Sequence, residues 1–361
     1  MSIPVYLTLM AVVSWDLYFF LSYVARLLTD AIQTRDWKPP VTVLIPAYNE
    51  ENNIRRAVES VLNSGYDRLN IVVIDDGSSD GTYEMALKTS MEDKVMVIRI
   101  EHSGKAKALN EGLKLAEGEV VVTIDADCIL KQGAINALVR RFYSDEVVAV
   151  GGQVRVQVKS PLSLVQDIEH LRIAMFRRAR ELDNLSLAPG PLSAFRKRSL
   201  IDAVGFQDNV VEDYATTMNL KKLGRVVYSP EAVVWTHMHS SLRKLWRQRV
   251  RWTVGNLKNL KSETLKRKLS LVIGDTIALL DVILPFVLFK YSLPLLVVWI
   301  IFEIVTMLVP AVIEGTPPKH GWVEVLSFPA VLWFWAAFYF ILHVYCYLRF
   351  YILKKRDVEW I

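Results

Sequence analysis

Apolar residues are distributed along this chain in two ways. Both ends carry long, nearly unbroken apolar runs, whereas the middle carries short ones separated by polar, helix-like segments. The stretch 4–28 has only Asp16 and Arg26 as charges, and three further runs lie at about 271–288, 293–312 and 325–351. Each is near the ~20 residues that cross a bilayer. The first run is too long for a signal-peptide core and no small-residue cleavage site follows it, so it reads as a retained anchor. In the middle, 41–45, 71–74, 95–100 and 120–124 are short and β-branched, with Pro, Gly, Asn or Asp close by. Between them, 51–62, 82–88 and 105–116 have helical spacing. This alternation predicts an α/β fold, a parallel sheet with helices on both faces, whose ligands bind beyond the C-terminal strand ends. The second half is less regular. The segments 162–180 and 242–260 read as basic amphipathic helices near a membrane surface, and 188–193 is rich in turn residues. A helical segment is also expected at 214–223. The predicted organisation is an N-terminal transmembrane anchor at 1–36, a cytosolic domain at 37–240, a basic interfacial helix at 241–268 and a C-terminal membrane region of about three spans at 269–361.

Composition supports the membrane part: 52% of the 361 residues are hydrophobic and mean hydropathy is +0.25, more than a soluble domain needs. Arg26, Arg35 and Lys38 follow the first span, which places the next domain in the cytosol. One span before the domain and three after it would put Lys354-Lys355-Arg356 outside, against the charge rule, so one C-terminal segment is re-entrant or the rule fails here. Asp275 and Asp281 make 271–288 the weakest span. The two cysteines, Cys128 and Cys346, suggest no disulfide framework. Net charge is +5, and ten Lys or Arg against one acid, Glu263, fall between Arg243 and Lys268. Beside a span, such a patch faces lipid headgroups or a diphosphate rather than nucleic acid.

Four polar clusters carry candidate chemistry. In Asp125-Ala126-Asp127 the two carboxylates lie on one side of an extended strand end and can share Mg2+ or Mn2+ with substrate phosphates; alternatively they cap a helix. Asp75-Asp76-Gly77-Ser78 exceeds what an N-cap requires, and Asp76 suits a base or ribose hydroxyl. Glu212-Asp213 opens a helix, where acids are favoured by the dipole alone. A carboxylate there also serves as a general base for a sugar hydroxyl, with Asp213 preferred and Glu212 as orienter or alternate. Gln248-x-x-Arg251-Trp252 presents Gln248 and Arg251 on one helix face. The Arg fork suits a diphosphate and the Trp a sugar ring, whereas Arg243, Lys244 and Arg247 are ordinary lipid-facing charges. Ser103-Gly104-Lys105 lacks the P-loop pattern, although Lys105 can reach a phosphate. His237-Met238-His239 reads as structural rather than as a zinc site.

Taken in this order, Pro46-Ala47-Tyr48-Asn49-Glu50, Asp75-Asp76-Gly77-Ser78, Gly104-Lys105-Ala106-x-Ala108-Leu109-Asn110, Asp125-Ala126-Asp127, Glu212-Asp213 and Gln248-x-x-Arg251-Trp252 resemble the family-2 glycosyltransferases, specifically the membrane-embedded polysaccharide synthases. The segment 190–196 looks like the corresponding stretch of hyaluronan synthases. Val211-Glu212-Asp213 and 246–252 look more like poly-N-acetylglucosamine, chitin and cellulose synthases. The resemblance implies a GT-A (Rossmann-like) fold, a UDP-sugar donor, Mg2+ or Mn2+, and inversion by a single displacement. It also implies roles. Pro46, Ala47, Tyr48, Glu50, Asp76, Lys105, Asp125, Gln248 and Arg251 would bind the donor. Asp127 with Asp125 would bind the metal, and Asp213 with Glu212 would carry catalysis. Gly190, Pro191, Leu192 and Trp252 would meet the acceptor. The implied protein is a multi-pass plasma-membrane enzyme extending a β-linked polysaccharide, in contact with membrane lipids and not with nucleic acid. The span count departs from many processive synthases, which keeps open single transfer to a lipid acceptor, as in ceramide glucosyltransferases or with a polyprenyl-linked acceptor. An inactive nucleotide-sugar-binding scaffold is a further alternative.

Overall fold

A computed structural model gives the fold and describes residues 3–29, 33–90, 93–181, 186–209, 211–238, 241–259, 265–314 and 322–353. The tail Lys354-Lys355-Arg356 and His239 lie outside the described residues. The chain divides into two compact units. One comprises Leu27–Gln157 and Arg180–Met238; the other comprises Met1–Arg26, Val158–Ala179 and His239–Ile361.

The first unit is built on eight strands: β1 (Val41–Ala47), β2 (Leu69–Asp75), β3 (Val95–Arg99), β4 (Val120–Ile124), β5 (Ile129–Leu130), β6 (Val147–Val156), β7 (Leu192–Arg196) and β8 (Arg225–Thr236). They form one sheet in the order β3-β2-β1-β4-β7-β6-β8-β5. The first four strands are parallel, as the alternation requires. β7 then pairs antiparallel with both β4 and β6, and β8 runs parallel to β6. The sheet is therefore mixed, not parallel throughout. Around it lie α2 (Ile54–Leu62), α3 (Thr82–Leu87), α4 (Lys105–Leu115), α5 (Ala134–Arg140), α7 (Lys197–Asp202) and α8 (Glu212–Leu220).

Side-chain alternation along β1 builds two cores. Val43 and Ile45 join Ile54 and Val58 of α2 in one cluster. Leu44 joins Leu109 and Leu113 of α4 in the other. Neighbouring strand residues point to opposite faces, and each such aliphatic side chain contributes roughly 1.5–3 kcal/mol when fully buried. Two rigid layers thus hold the strand ends. β1 and β4 are the point from which the chain winds in both directions, and in sheets of this kind the crevice at that point binds the ligand.

The second unit is helical: α1 (Ile3–Thr29), α6 (Pro161–Arg180), α9 (Leu242–Asn259), α10 (Leu265–Tyr291), α11 (Leu293–Ile313) and α12 (Trp322–Tyr347), which ends in a π-helical turn at Leu348–Ile352. Four segments are long and apolar enough to cross a membrane: Val5–Thr29, Val272–Tyr291, Leu293–Ile313 and Glu324–Ile352. Several of their polar groups are paired inside the unit, which lowers the cost of placing them in lipid. Asp275 on α10 is bonded to His343 Nδ1 and accepts from Tyr347 Oη at 2.9 Å, both on α12. Glu314 accepts from Tyr23 Oη at 2.8 Å and from Arg178 Nη1 at 3.0 Å. The helix α6 packs with the spans through Trp335 Nε1, which donates to Val165 O at 3.0 Å.

Candidate active site

The loops that follow β1 and β2 are tied together by their own polar side chains. Asn49 N–H donates to Ser78 Oγ at 2.9 Å, Ser79 N–H to Asn49 Oδ1 at 2.9 Å, and Glu50 N–H to Thr82 Oγ1 at 2.7 Å. Gly77 sits at φ +68°, and a Cβ there would lie 2.7 Å from His102 N, so the β2 loop needs glycine at this position. Tyr48 is exposed and stacks on the His102 ring at 4.2 Å and 24°. Pro46 and Ala47 are the last residues of β1.

Asp75 and Asp76 do different work. Asp75 is fully buried and pairs with Arg99 Nε at 3.1 Å. Asp76 accepts from Ser103 N–H at 2.8 Å and Gly104 N–H at 2.9 Å, with His102 Nδ1 3.0 Å from its carboxylate. In this way Asp76 fixes the turn that starts α4 and aims Lys105 at the sheet end.

Lys105 is the hub. Its Nζ lies 2.5 Å from Asp125 Oδ1 and 2.9 Å from Glu212 Oε1. Burial disfavours its charged form, but Asp125 and Glu212 outweigh this and hold the ammonium protonated well above its ordinary range. Beside it, Asp213 Oδ2 accepts from Gly190 N–H at 3.0 Å and Asp213 Oδ1 from Tyr214 N–H at 2.7 Å. Burial first, and then the Glu212 charge, raises the Asp213 pKa; Lys105 and the two N–H donors oppose the shift. A Cβ on Gly190 would lie 3.0 Å from Lys105 Nζ, 3.5 Å from Glu212 Oε1 and 3.6 Å from Asp213 Oδ2. Lys105, Gly190, Glu212 and Asp213 line one small cavity together with Phe206 and Thr216.

Asp127 lies two residues beyond Asp125, in the turn that follows β4. Among the described residues its carboxylate accepts from Thr236 Oγ1 and from Cys128 Sγ, both at 3.3 Å. Burial and the charge of Asp125 raise its pKa. Glu50 is raised mainly by burial, with Asp127 and Asp125 adding to it, although the Asn53 amide donates to it at 2.7 Å. Three carboxylates therefore feel one another at the ends of β1 and β4.

Leu192 is fully buried at the start of β7, where a Cβ on Gly152 would meet its side chain at 2.5 Å. Pro191, half-buried, precedes it. Gln248, Arg251 and Trp252 lie half-buried on α9, in the helical unit. Arg243, Lys244 and Arg247 are exposed on the same helix.

Arg249 is the residue that the motif reading missed. It is fully buried, donates to Glu169 Oε2 at 2.5 Å, and lies 4.1 Å from the Trp252 ring centroid and 5.6 Å from that of Trp335. Its signal was available: Arg249 stands four residues after Leu245, on the stripe that α9 buries.

Comparisons with known proteins bear on the family and the fold. Residues 42–204 match the family described as Glycosyl transferase family 2. The chain is 34% identical over 223 residues to a poly-beta-1,6-N-acetyl-D-glucosamine synthase of Staphylococcus aureus, a match covering 60% of this chain and 54% of that protein. The synthase of the same name from Staphylococcus epidermidis is 32% identical over 245 residues, covering 64% and 59%. The chain thus spans somewhat more than half the length of these relatives. Among solved structures, a mannosyltransferase from Pyrobaculum calidifontis, in complex with GDP-Man and Mn2+, superposes with a TM-score of 0.63 at 20% identity over 97% of this chain and 98% of that one. The mixed α/β sheet is of the GT-A type, as the motifs implied.

Proposed function

We propose, from the match of residues 42–204 to the family described as Glycosyl transferase family 2, that this chain is an inverting membrane glycosyltransferase which extends a β-linked polysaccharide from a UDP-sugar. The observation that carries the reading is the Lys105–Asp125–Glu212 ion network beside Asp213, whose carboxylate is held at both oxygens by backbone N–H groups. A base must keep a fixed direction toward the proton it takes, and this carboxylate is fixed at both ends.

In the reaction, Asp213 accepts the proton of an acceptor hydroxyl as that oxygen attacks the anomeric carbon. The bond to the diphosphate breaks on the opposite face, so one displacement inverts the centre. Glu212 pairs with the Lys105 ammonium, and Asp213 is the group that takes the proton. The exposed Tyr48 ring, backed by His102, gives the base of the nucleotide a face, and Asp76 holds the loop beneath it. Gly190 leaves room for the acceptor where a side chain would meet Lys105.

The donor set fits a divalent ion. Asp125 and Asp127 are mutually repulsive carboxylates, and the long hydrogen bonds of Asp127 leave its oxygens free to coordinate. Among the described residues no three His, Cys, Asp or Glu side chains converge as a metal cage, which suits Mg2+ or Mn2+, ions that take the remaining ligands from phosphate and water. When bound, the ion neutralises charge on the leaving diphosphate.

The names of the relatives make UDP-N-acetylglucosamine the first donor to test. Their likeness covers about three fifths of the chain, so the acceptor class rests on the remainder, and single transfer to a lipid acceptor is the second reading. Arg26, Arg35 and Lys38 after the first span support a catalytic unit on the cytoplasmic face of the plasma membrane. The test is purified full-length protein in detergent with a panel of UDP-sugars, following UDP release and product size together. A polymer is expected. A product with one added sugar selects the second reading, and binding without UDP release selects an inactive scaffold.

A further inference from the structure

The helical unit contains a cavity of about 280 Å3 whose lining includes none of the residues given a role in transfer; Asp16, Arg172, Asp281, Trp15, Trp335 and Tyr339 are among its wall residues. We propose that this cavity binds a primary ammonium group.

Its charges do not balance. Asp16 pairs with Arg172 at 3.0 Å. The same guanidinium also feels Glu303 and Asp281, so one cation serves three carboxyl groups. Glu169, at the cavity wall, is already matched by Arg249. Asp16, Asp281 and Glu303 each stand near the middle of a separate membrane-crossing segment. An ionisable group at that depth is costly unless it is paired and is a functional-site candidate by default.

The cavity wall holds an unmet acceptor. Among the described residues Asp281, which lines the cavity, is 7% exposed and its Oδ1 has no hydrogen-bond partner. A buried acceptor left empty costs about 1–3 kcal/mol, more when it is charged.

Three ligand chemistries can be weighed against this. A bare metal ion needs several converging side chains, and no such group occurs among the described residues. A neutral polyol brings as many acceptors as donors and no charge. A primary ammonium brings three donors, no acceptor and one positive charge. The ring faces of Trp15, Trp335 and Tyr339 attract the same cation. The volume exceeds the ~30 Å3 share of one water several-fold, which leaves room for a short carbon stem behind the ammonium.

The test uses the purified full chain in detergent, with ethylammonium chloride titrated against tryptophan fluorescence at constant ionic strength. Trp15 and Trp335 at the cavity wall report occupancy. A saturable change is expected, with sodium chloride and ethylene glycol giving none. Asp281→Asn should weaken binding tenfold or more, and Asp281→Ala should do so as well; if one variant does not fold, the other carries the test. The readout is binding, so it is independent of glycosyl transfer. No saturable signal in the wild type overturns the proposal. So does unchanged affinity in folded variants, or ethylene glycol binding as tightly as ethylammonium.

Discussion

The backbone N–H of Gly190 donates to Asp213 Oδ2 at 3.0 Å, so a turn between two unrelated segments sets the direction of the proposed base. Gly190→Ala should test how much that geometry matters. Its Cβ would meet the flexible end of Lys105 at 3.0 Å, which can shift, so the thermal midpoint should barely move. Turnover should fall tenfold or more, because small displacements in a reacting geometry are expensive. Normal turnover with a normal midpoint would show that Gly190 is not part of the site.

Acidification should silence the enzyme at a higher pH than an ordinary aspartate would. Asp213 has a raised pKa, from burial first and then Glu212. As pH falls through that value the base becomes protonated and cannot accept the acceptor proton. Lys105 holds the pKa down, so Lys105→Met should move the acid limb of kcat/KM to higher pH, whatever it does to the maximal rate. A pH–rate profile checks this, and a limb that moves to lower pH would contradict the assignment.

Asp127→Ala should abolish the dependence of turnover on added Mg2+ or Mn2+ while leaving the fold intact. Among the described residues the side chain makes two hydrogen bonds, both of 3.3 Å, so little stability is lost with it. The comparison is UDP release across a metal titration, with and without chelator, alongside a thermal melt. Wild-type activity in excess chelator would remove the metal from the account.

Arg249→Ala should be a stability variant. Breaking a buried ion pair by removing one partner costs about 3–5 kcal/mol, and Glu169 would be left with Tyr339 alone. Arg251→Lys should instead leave the melt unchanged and lower turnover, because the planar fork is lost and the charge is kept. Melting curves and turnover measured on both variants separate the two roles.

These differences mark what the sequence could reveal. The parallel strands were legible because β1, β2 and β4 are uniform β-branched runs that end in polar motifs. The antiparallel half was not. β6 is buried along its whole length yet contains Gly151, Gly152, Gln153 and Arg155, which hides its strand pattern. β8 carries Pro230 and Glu231 at its centre, and its register with β6 jumps from Ser229 to Val233 at that point. In the site, residue types identified the carboxylates, but only the fold brings Lys105 against Glu212, 107 residues further on, and Gly190 against Asp213, 23 residues further on. Asp76 read as a ligand for the nucleotide; its visible work is to hold Ser103 and Gly104. Arg249 is hidden in the sequence because Gln248 and Arg251, the i, i+3 pair of the motif, stand on either side of it.

Asp213→Asn gives the most direct test of the central claim. The amide is nearly isosteric and can still accept from Gly190 N–H, so donor binding and the melt should survive. UDP release in the presence of acceptor and metal should fall ~10²–10⁴-fold, the usual contribution of a general base. The measurement is UDP release by wild type and variant at saturating UDP-sugar, with donor affinity determined in parallel. The account predicts that large loss of turnover at unchanged affinity. Near-normal turnover in the variant would contradict it.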